Sequence, residues 1–328
     1  MGFRSGAGSG RGEHEPEEHD GQPDLRAQFR ATRSDIERQM QATRAQFDAT
    51  NEKIAARTGR NLLGAIAIGL LLGGGFFFSL ILDKALFMLV AAVLLGVSAF
   101  ELAGALRTAG RVVSRVPAVI GALGIIPAAF FGGPAGQLAG LAGALVLVCV
   151  WRVVACVYPR YRVPARELLA DLTASVLVQV YVGFLGSFAV LLTSRDGGQW
   201  WTLAFVIVVI CVDIGAYASG LMFGKHPMAP VISPKKTWEG FAGAAAASVI
   251  AGVLLAVLML GEPWWFGVVF GLALLGTATM GDLIESLIKR DIGIKDMSSW
   301  LPGHGGFLDR LDSILPSAAL AYALFVIF

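Results

Sequence analysis

GDLIESLIKRDIGIKDMSSWLPGHGGFLDRLDS, residues 281–313, carries ten charged side chains, yet segments apolar enough to span a bilayer flank it on both sides. Charge crowded at a membrane edge has to be hydrated, paired or bound to something. Read as a helix at about 100° per residue, 281–290 puts Asp282, Glu285, Ser286, Lys289 and Arg290 on one face and turns Leu283, Leu287 and Ile288 away. One side suits polyanions and metal; the other suits lipid or core. A Pro302-Gly303-His304-Gly305-Gly306 turn follows, whose glycines let backbone approach a ligand closely. Asp309 and Asp312 then recur one helical turn apart. Acid, base and glycine-rich turn together point to a site that handles phosphate.

The flanks repeat along the chain. With 55% hydrophobic residues and a mean hydropathy of +0.68, the sequence falls in the membrane class. Spans are expected at 61–82, 85–101, 116–132, 136–157, 173–193, 199–223, 241–260, 264–283 and 314–328, about nine in all. The expected fold is an all-α, polytopic integral membrane helical bundle, residues 61–328, behind a polar N-terminal tail, residues 1–60. The net charge of +2 comes from scattered residues and forms no basic stripe, so nucleic acid is excluded as a partner. Cys149, Cys156 and Cys211 are odd in number and lie in apolar runs, which makes them small buried hydrophobes and no disulfide framework.

The first apolar run begins near Leu62 after a polar stretch, so it reads as a retained span and not as a cleaved signal. Residues 1–24 are rich in Gly, Glu, His and Asp, hold His14 and His19, and are expected to be disordered. Residues 25–57 favour helix, with Met40, Phe47 and Ile54 recurring every seven residues and Phe29 and Ile36 on a neighbouring row. A helical leader, a surface-lying helix and a short coiled coil all fit that pattern.

Lys and Arg favour cytoplasmic loops. With the N-terminus inside, the inner loops hold thirteen basic residues (Arg107, Arg111, Arg115, Arg160, Arg162, Arg166, Lys225, Lys235, Lys236, Lys289, Arg290, Lys295 and Arg310), and the outer loops hold Lys84 and Arg195. That bias places 281–313 at the cytoplasmic face of the cell (inner or plasma) membrane. Glu101, at the end of the second span, needs either a boundary partner such as Arg107 or a place in the site.

A second polar cluster runs from Asp213 to Gly240. Asp213 lies inside an apolar run, where a lone carboxylate is costly. Lys225, His226, Lys235 and Lys236 follow, with Ser233-Pro234 imposing an extended turn before the lysine pair. Residues 220–225, GLMFGK, lack the spacing and hydroxyl of a Walker loop, and no serine sits in a hydrolase elbow. Oxygen ligands with water and substrate phosphates are what Mg²⁺ prefers. Asp282, Asp309 and Asp312 could hold such an ion between phosphates, with Lys289, Arg290, Lys295 and Arg310 neutralising developing charge.

The run Ser286-x-x-Lys289-Arg290, Lys295-Asp296, Pro302-Gly303-His304-Gly305-Gly306 and Asp309-Arg310-x-Asp312 resembles the signature of phosphatidate cytidylyltransferases, also called CDP-diacylglycerol synthases. Asp213-Ile-Gly-Ala-Tyr217, with Ser233-Pro234-Lys235-Lys236-Thr237-x-Glu239-Gly240, is similar to the family's other characteristic segment. The resemblance covers roughly 62–328, with one departure at Leu221, where many relatives carry a basic residue.

It implies an integral membrane enzyme joining CTP and phosphatidic acid into CDP-diacylglycerol and pyrophosphate, dependent on Mg²⁺, with K⁺ a candidate second cation. Membrane lipid is then its surroundings and a homodimer a candidate assembly. Asp282 and Asp309 would hold the metal, with Asp312 and Asp296 assisting or orienting. Lys289, Arg290, Lys295 and Arg310 would grip phosphates, and His304 would shape the turn or hydrogen-bond a phosphate. Asp213, Tyr217, Ser233, Lys235, Lys236, Thr237, Glu239, Ser286, Gly305 and Gly306 would line the substrate. The rivals are a related CTP-dependent lipid enzyme, acting on another lipid phosphate or phosphorylating a polyprenol, and a transporter. A transporter would want its charges at the bilayer midplane between repeated halves.

Overall fold

The computed structural model describes residues 62–298, 300 and 305–328. The expectations for residues 1–60, and for Pro302, Gly303 and His304, lie outside these described residues. The chain forms helices α1 (Leu62–Leu82), α2 (Lys84–Thr108) and α3 (Arg115–Ala155). Next come α4 (Ala165–Ser194) and α5 (Gly198–Phe223), then strands β1 (Pro227–Ala229) and β2 (Ser233–Thr237). Helices α6 (Trp238–Leu260), α7 (Trp264–Ile292) and α8 (Leu308–Ile327) complete it. Seven of the helices, α2 to α8, are long and apolar enough to cross a membrane, which makes this a multi-pass bundle.

The count differs from nine because two expected spans, 116–132 and 136–157, fall in the single 41-residue element α3. It is a hairpin. Gly133 takes φ 63° and ψ −152°, a conformation essentially reserved for glycine, and Pro134 follows it. A side chain at Gly140 would sit 3.1 Å from Ile125 Cα, and one at Gly121 would sit 3.1 Å from Ala144 Cβ. In a straight helix residues 121 and 144 would be ~35 Å apart, so the arms fold back on each other. The expected 61–82 span corresponds to α1, whose stretch Gly73–Leu82 is apolar.

The chemistry of each surface is that of a protein in lipid. Large apolar side chains face outward, such as Leu221, Phe131 and Leu258, while Gln137, Gln179 and Ser187 are buried between helices. Inside, Gln137 donates to Ser187 Oγ (2.8 Å) and Gln179 to the Ala118 carbonyl (2.9 Å), which gives both amide N–H groups an acceptor between the helices. Two apolar clusters make the core. One gathers Leu95, Leu102, Ile126 and Val182 from α2, α3 and α4, and the other gathers Phe205, Phe266, Phe270 and Ala318 from α5, α7 and α8. Where α6 meets α7, Gly252 and Gly267 bring the backbones together, the close approach that replaces hydrophobic drive in lipid.

The bundle has two distinct ends. At one, Lys84 Nζ donates to the Arg195 carbonyl (2.6 Å), and the same arginine's guanidinium lies against Gly133. These are the two basic residues assigned above to the outer loops. At the other end lie the 109–114 and 224–237 connections, the described residues 293–298 and 305–307, and most of the charge of the described residues. There β1 and β2 form a short antiparallel hairpin, Pro227 opposite Thr237 and Ala229 opposite Ser233, a small addition to an otherwise all-helical fold.

Candidate active site

Helix α7 runs through its apolar stretch and ends in charge. Gly293 stops it at φ 80°, with its N–H bonded to the Arg290 carbonyl and that of Ile294 to the Lys289 carbonyl, so the last carbonyls are capped. On the inward face Glu285 is fully buried, and Lys289 Nζ donates to its Oε2 (2.5 Å) and to Asp309 Oδ1 (3.1 Å). Ser286 Oγ donates to Asp282 Oδ1 (3.2 Å). Leu287 faces out, as the helical wheel requires. Arg290 reaches away to the Ile232 carbonyl in the β1–β2 turn (3.4 Å).

Asp309 is held from three sides. The Gly306 N–H donates to its Oδ2 (2.7 Å), the Met297 N–H donates to the same oxygen (3.2 Å), and Lys289 takes the other. Gly305 sits at φ 80°, and any side chain there would reach Asp309 Oδ2 at 2.7 Å, so glycine is demanded twice over. Glu101, which the sequence offered either to Arg107 or to the site, belongs to the site's scaffold. It accepts from Ser298 Oγ (2.5 Å) and from the N–H groups of Phe307 (3.1 Å) and Leu308 (2.9 Å). A carboxylate from α2 thus caps the start of α8, where the helix presents unpaired donors.

Asp312 completes the group. Its backbone packs against Gly281, where a side chain would collide with the Asp312 carbonyl, and its Oδ1 accepts its neighbour Ser313's N–H (2.6 Å). Asp213, Asp282, Glu285 and Asp312 lie close enough for their charges to act on one another.

The second cluster meets this one directly. Lys236 Nζ from β2 pairs with Asp282 Oδ2 at 2.5 Å. A cavity of about 260 Å³ opens beside the pair, lined by Asp213, Tyr217, Lys235, Lys236, Thr237 and Asp282 together with apolar Val212 and Phe241. Asp213 is therefore not stranded in hydrocarbon but shares a cavity with Lys236 and Asp282. Thr237 and Glu239 are occupied locally: Thr237 Oγ1 accepts the Gly240 N–H (3.1 Å) as the cap of α6. Glu239 accepts the N–H groups of Lys225 and His226 and pairs with His226 Nδ1 (2.5 Å). Ser233 starts β2. Lys295 and Asp296 are exposed on the loop after α7, and Asp296 borders a second hollow of about 200 Å³ with Phe100, Arg115 and Trp300. Arg310 is exposed on the first turn of α8, where its charge acts on Asp213.

One residue escaped the sequence reading as a site member, and another was left open between two roles. Glu285 was placed on the right face without a role, although its spacing from Lys289 signals an i,i+4 pair. Glu101 gave only the signal of an acid at a span's end.

Among the described residues no three His, Cys, Asp or Glu side chains stand in a ready-made metal cage. The donor chemistry nevertheless fits a hard divalent ion that keeps its waters and takes one or two carboxylates plus substrate phosphates. Among the described residues Glu285 Oε1 is buried with no hydrogen-bond donor on it, beside the charge of Asp312. Crowded carboxylates of this kind call for added positive charge.

Fold and site together define a multi-pass membrane protein whose acids and lysines converge at one end of a helical bundle. The chain belongs to the cytidylyltransferase family, whose model matches residues 64–328. It is similar to proteins named phosphatidate cytidylyltransferase from Mycobacterium bovis (38% identical over 274 residues, 81% of this chain and 89% of that one) and Mycobacterium leprae (39% over 285 residues, 83% and 90%). A protein of the same name from Brucella suis is 41% identical over 149 residues, 45% of this chain and 55% of that one.

Proposed function

We propose that this chain transfers the cytidylyl group of CTP to phosphatidic acid, giving CDP-diacylglycerol and pyrophosphate. The observation that carries the reading is the 2.5 Å contact between Lys236 and Asp282, which joins the two polar segments of a family member into one site beside a cavity.

A phosphate oxygen of phosphatidic acid attacks the α-phosphorus of CTP. The new P–O bond forms as the bond from that phosphorus to the α,β-bridging oxygen breaks, and the electron pair leaves on pyrophosphate. Because the attacking oxygen is already anionic, no serine or cysteine has to be activated, and the work left to the protein is positioning and charge stabilisation. Lys236 and Asp282 satisfy one another beside the cavity; their separation gives an ammonium to the phosphates and a carboxylate to a cation. Lys235, Arg290, Lys295 and Arg310 supply further positive charge at the rim. Lys289 stays with Glu285 and Asp309 and holds α7 to α8. Mg²⁺, when bound, would supply positive charge that offsets the phosphates and the departing pyrophosphate. Asp282 and Asp312 would hold it; Asp309 would join only by loosening its bonds to Lys289 and two backbone amides. Tyr217 and Asp213 border the substrate, and Gly305 and Gly306 keep the loop close to the acids. The site end faces the cytoplasm, where CTP is found, a reading supported by the thirteen basic residues of the inner loops.

The test is pyrophosphate release from CTP by purified protein. Release that needs both phosphatidic acid and Mg²⁺ is the expected result. Release of CDP would instead make the chain a kinase, and turnover without phosphatidic acid would remove the lipid from the reaction.

A further inference from the structure

A hollow larger than the one beside Asp282 lies elsewhere among the described residues. A groove of about 1190 Å³ lies between the end of α2, the 109–114 connection and the second arm of α3. It shares no lining residue with the cavity that holds Asp213, Lys236 and Asp282. Val146, Val150 and Val154 form its apolar floor, each more than half exposed. Trp151 stands along the same wall. At its end lie Arg107 and Arg111, both exposed, and neither has an acidic partner among the described residues.

We infer that this groove holds one anionic phospholipid, with its acyl chain on the valine floor and its headgroup phosphate at Arg107 and Arg111. Length agrees. From Gly143 to Ala155 the floor runs ~18 Å along the helix, comparable with the ~15 Å hydrocarbon depth of one leaflet. Charge agrees as well, because the cations sit only at the end where the bundle carries its other charged loops, while the rest of the trough is apolar. Trp151 and Tyr158 border the trough, and aromatic rings favour the membrane interface.

The groove is also built to persist. Asp171 accepts the Val112 N–H (2.9 Å) and is locked to Arg152 by bonds of 2.7 and 3.0 Å, and Arg152 donates onward to the Tyr161 carbonyl (3.3 Å). Val112 and Tyr161 both line the groove, so a buried ion pair with side chains 2% and 5% exposed fixes its wall. A second copy of the chain fits this face less well, because a two-fold contact centred here would bring like arginines together.

The experiment uses the full chain in phosphatidylcholine nanodiscs doped, at matched low mole fraction, with either phosphatidylglycerol or phosphatidylcholine brominated on its acyl chains. The readout is quenching of the Trp151 fluorescence, obtained as the difference between the wild type and Trp151→Phe. The site predicts an apparent preference of about tenfold for the anionic quencher, in line with two basic side chains at a membrane surface, and a weakening of that preference with salt. The Arg107→Gln/Arg111→Gln double variant should bring it close to parity while CTP turnover is retained, and Arg166→Gln, at the same end but off the groove, should leave it intact. Equal quenching by both lipids in the wild type would overturn the inference without any variant. So would a preference that survives in the double variant. Protection of Trp151 from both quenchers would also overturn it, and would put a protein surface on this face instead.

Discussion

Two carboxylates on the same short stretch of α8, Asp309 and Asp312, are treated in opposite ways by the bundle. Asp309 has an ammonium and two backbone N–H groups around it, and its neighbours are arranged to keep it there, down to the glycine that makes room for its oxygen. Asp312 accepts an N–H from its own neighbour and lies among the carboxylates of Asp282, Glu285 and Asp213. A well-bonded acid serves the fold, since its removal leaves donors buried without partners. An acid crowded by other acids is repelled by them, and on the proposed reading it is the one to meet an incoming cation. The difference separates the residues that build this site from those that use it.

The comparison can be broken at several points. Asp282→Asn should have the largest effect, a fall of ~10³-fold in phosphatidic acid-dependent pyrophosphate release with little change in thermal stability, because it removes a charge that the chemistry uses. Turnover within a few fold of wild type would refute its role. Lys236→Gln should cost ~10²-fold in turnover; a loss confined to KM for CTP would reassign it from transition-state charge to ground-state binding. Asp309→Asn should show the reverse balance, a stability loss of about 2–3 kcal/mol with a smaller loss of turnover, checked by thermal unfolding in detergent alongside the assay. The smallest effect belongs to Thr237→Ala, which removes the cap of α6 and should cost about 1 kcal/mol with turnover retained.

Much of this architecture was readable before the coordinates. The spans follow from apolar length, and the charged face of 281–290 follows from helical period, because both are set by residues near one another in sequence. The α3 hairpin was also legible as two runs split by Gly132-Gly133-Pro134, although not as one element. What escaped depends on distance along the chain. Glu101 meets the N–H groups of Phe307 and Leu308, 206 and 207 residues away, and no local pattern announces such a contact. The tie between Lys236 and Asp282 is of the same kind: each segment looked polar by itself, but only packing of α6 on α7 brings the ammonium to the acid. Thr237 and Glu239 carry a second kind of information that the motif did not announce, since their side chains also cap a helix and tie a loop.

The central claim is that acids of α7 and α8 share a divalent ion once CTP is present. Mn²⁺ binding followed by electron paramagnetic resonance, in purified protein with CTP, reads this without relying on turnover. The account predicts that Asp282→Asn and Asp312→Asn each lose most of the bound signal, while Asp309→Asn keeps a larger share of it. Unchanged Mn²⁺ binding in Asp282→Asn, or loss in Asp309→Asn alone, would contradict it.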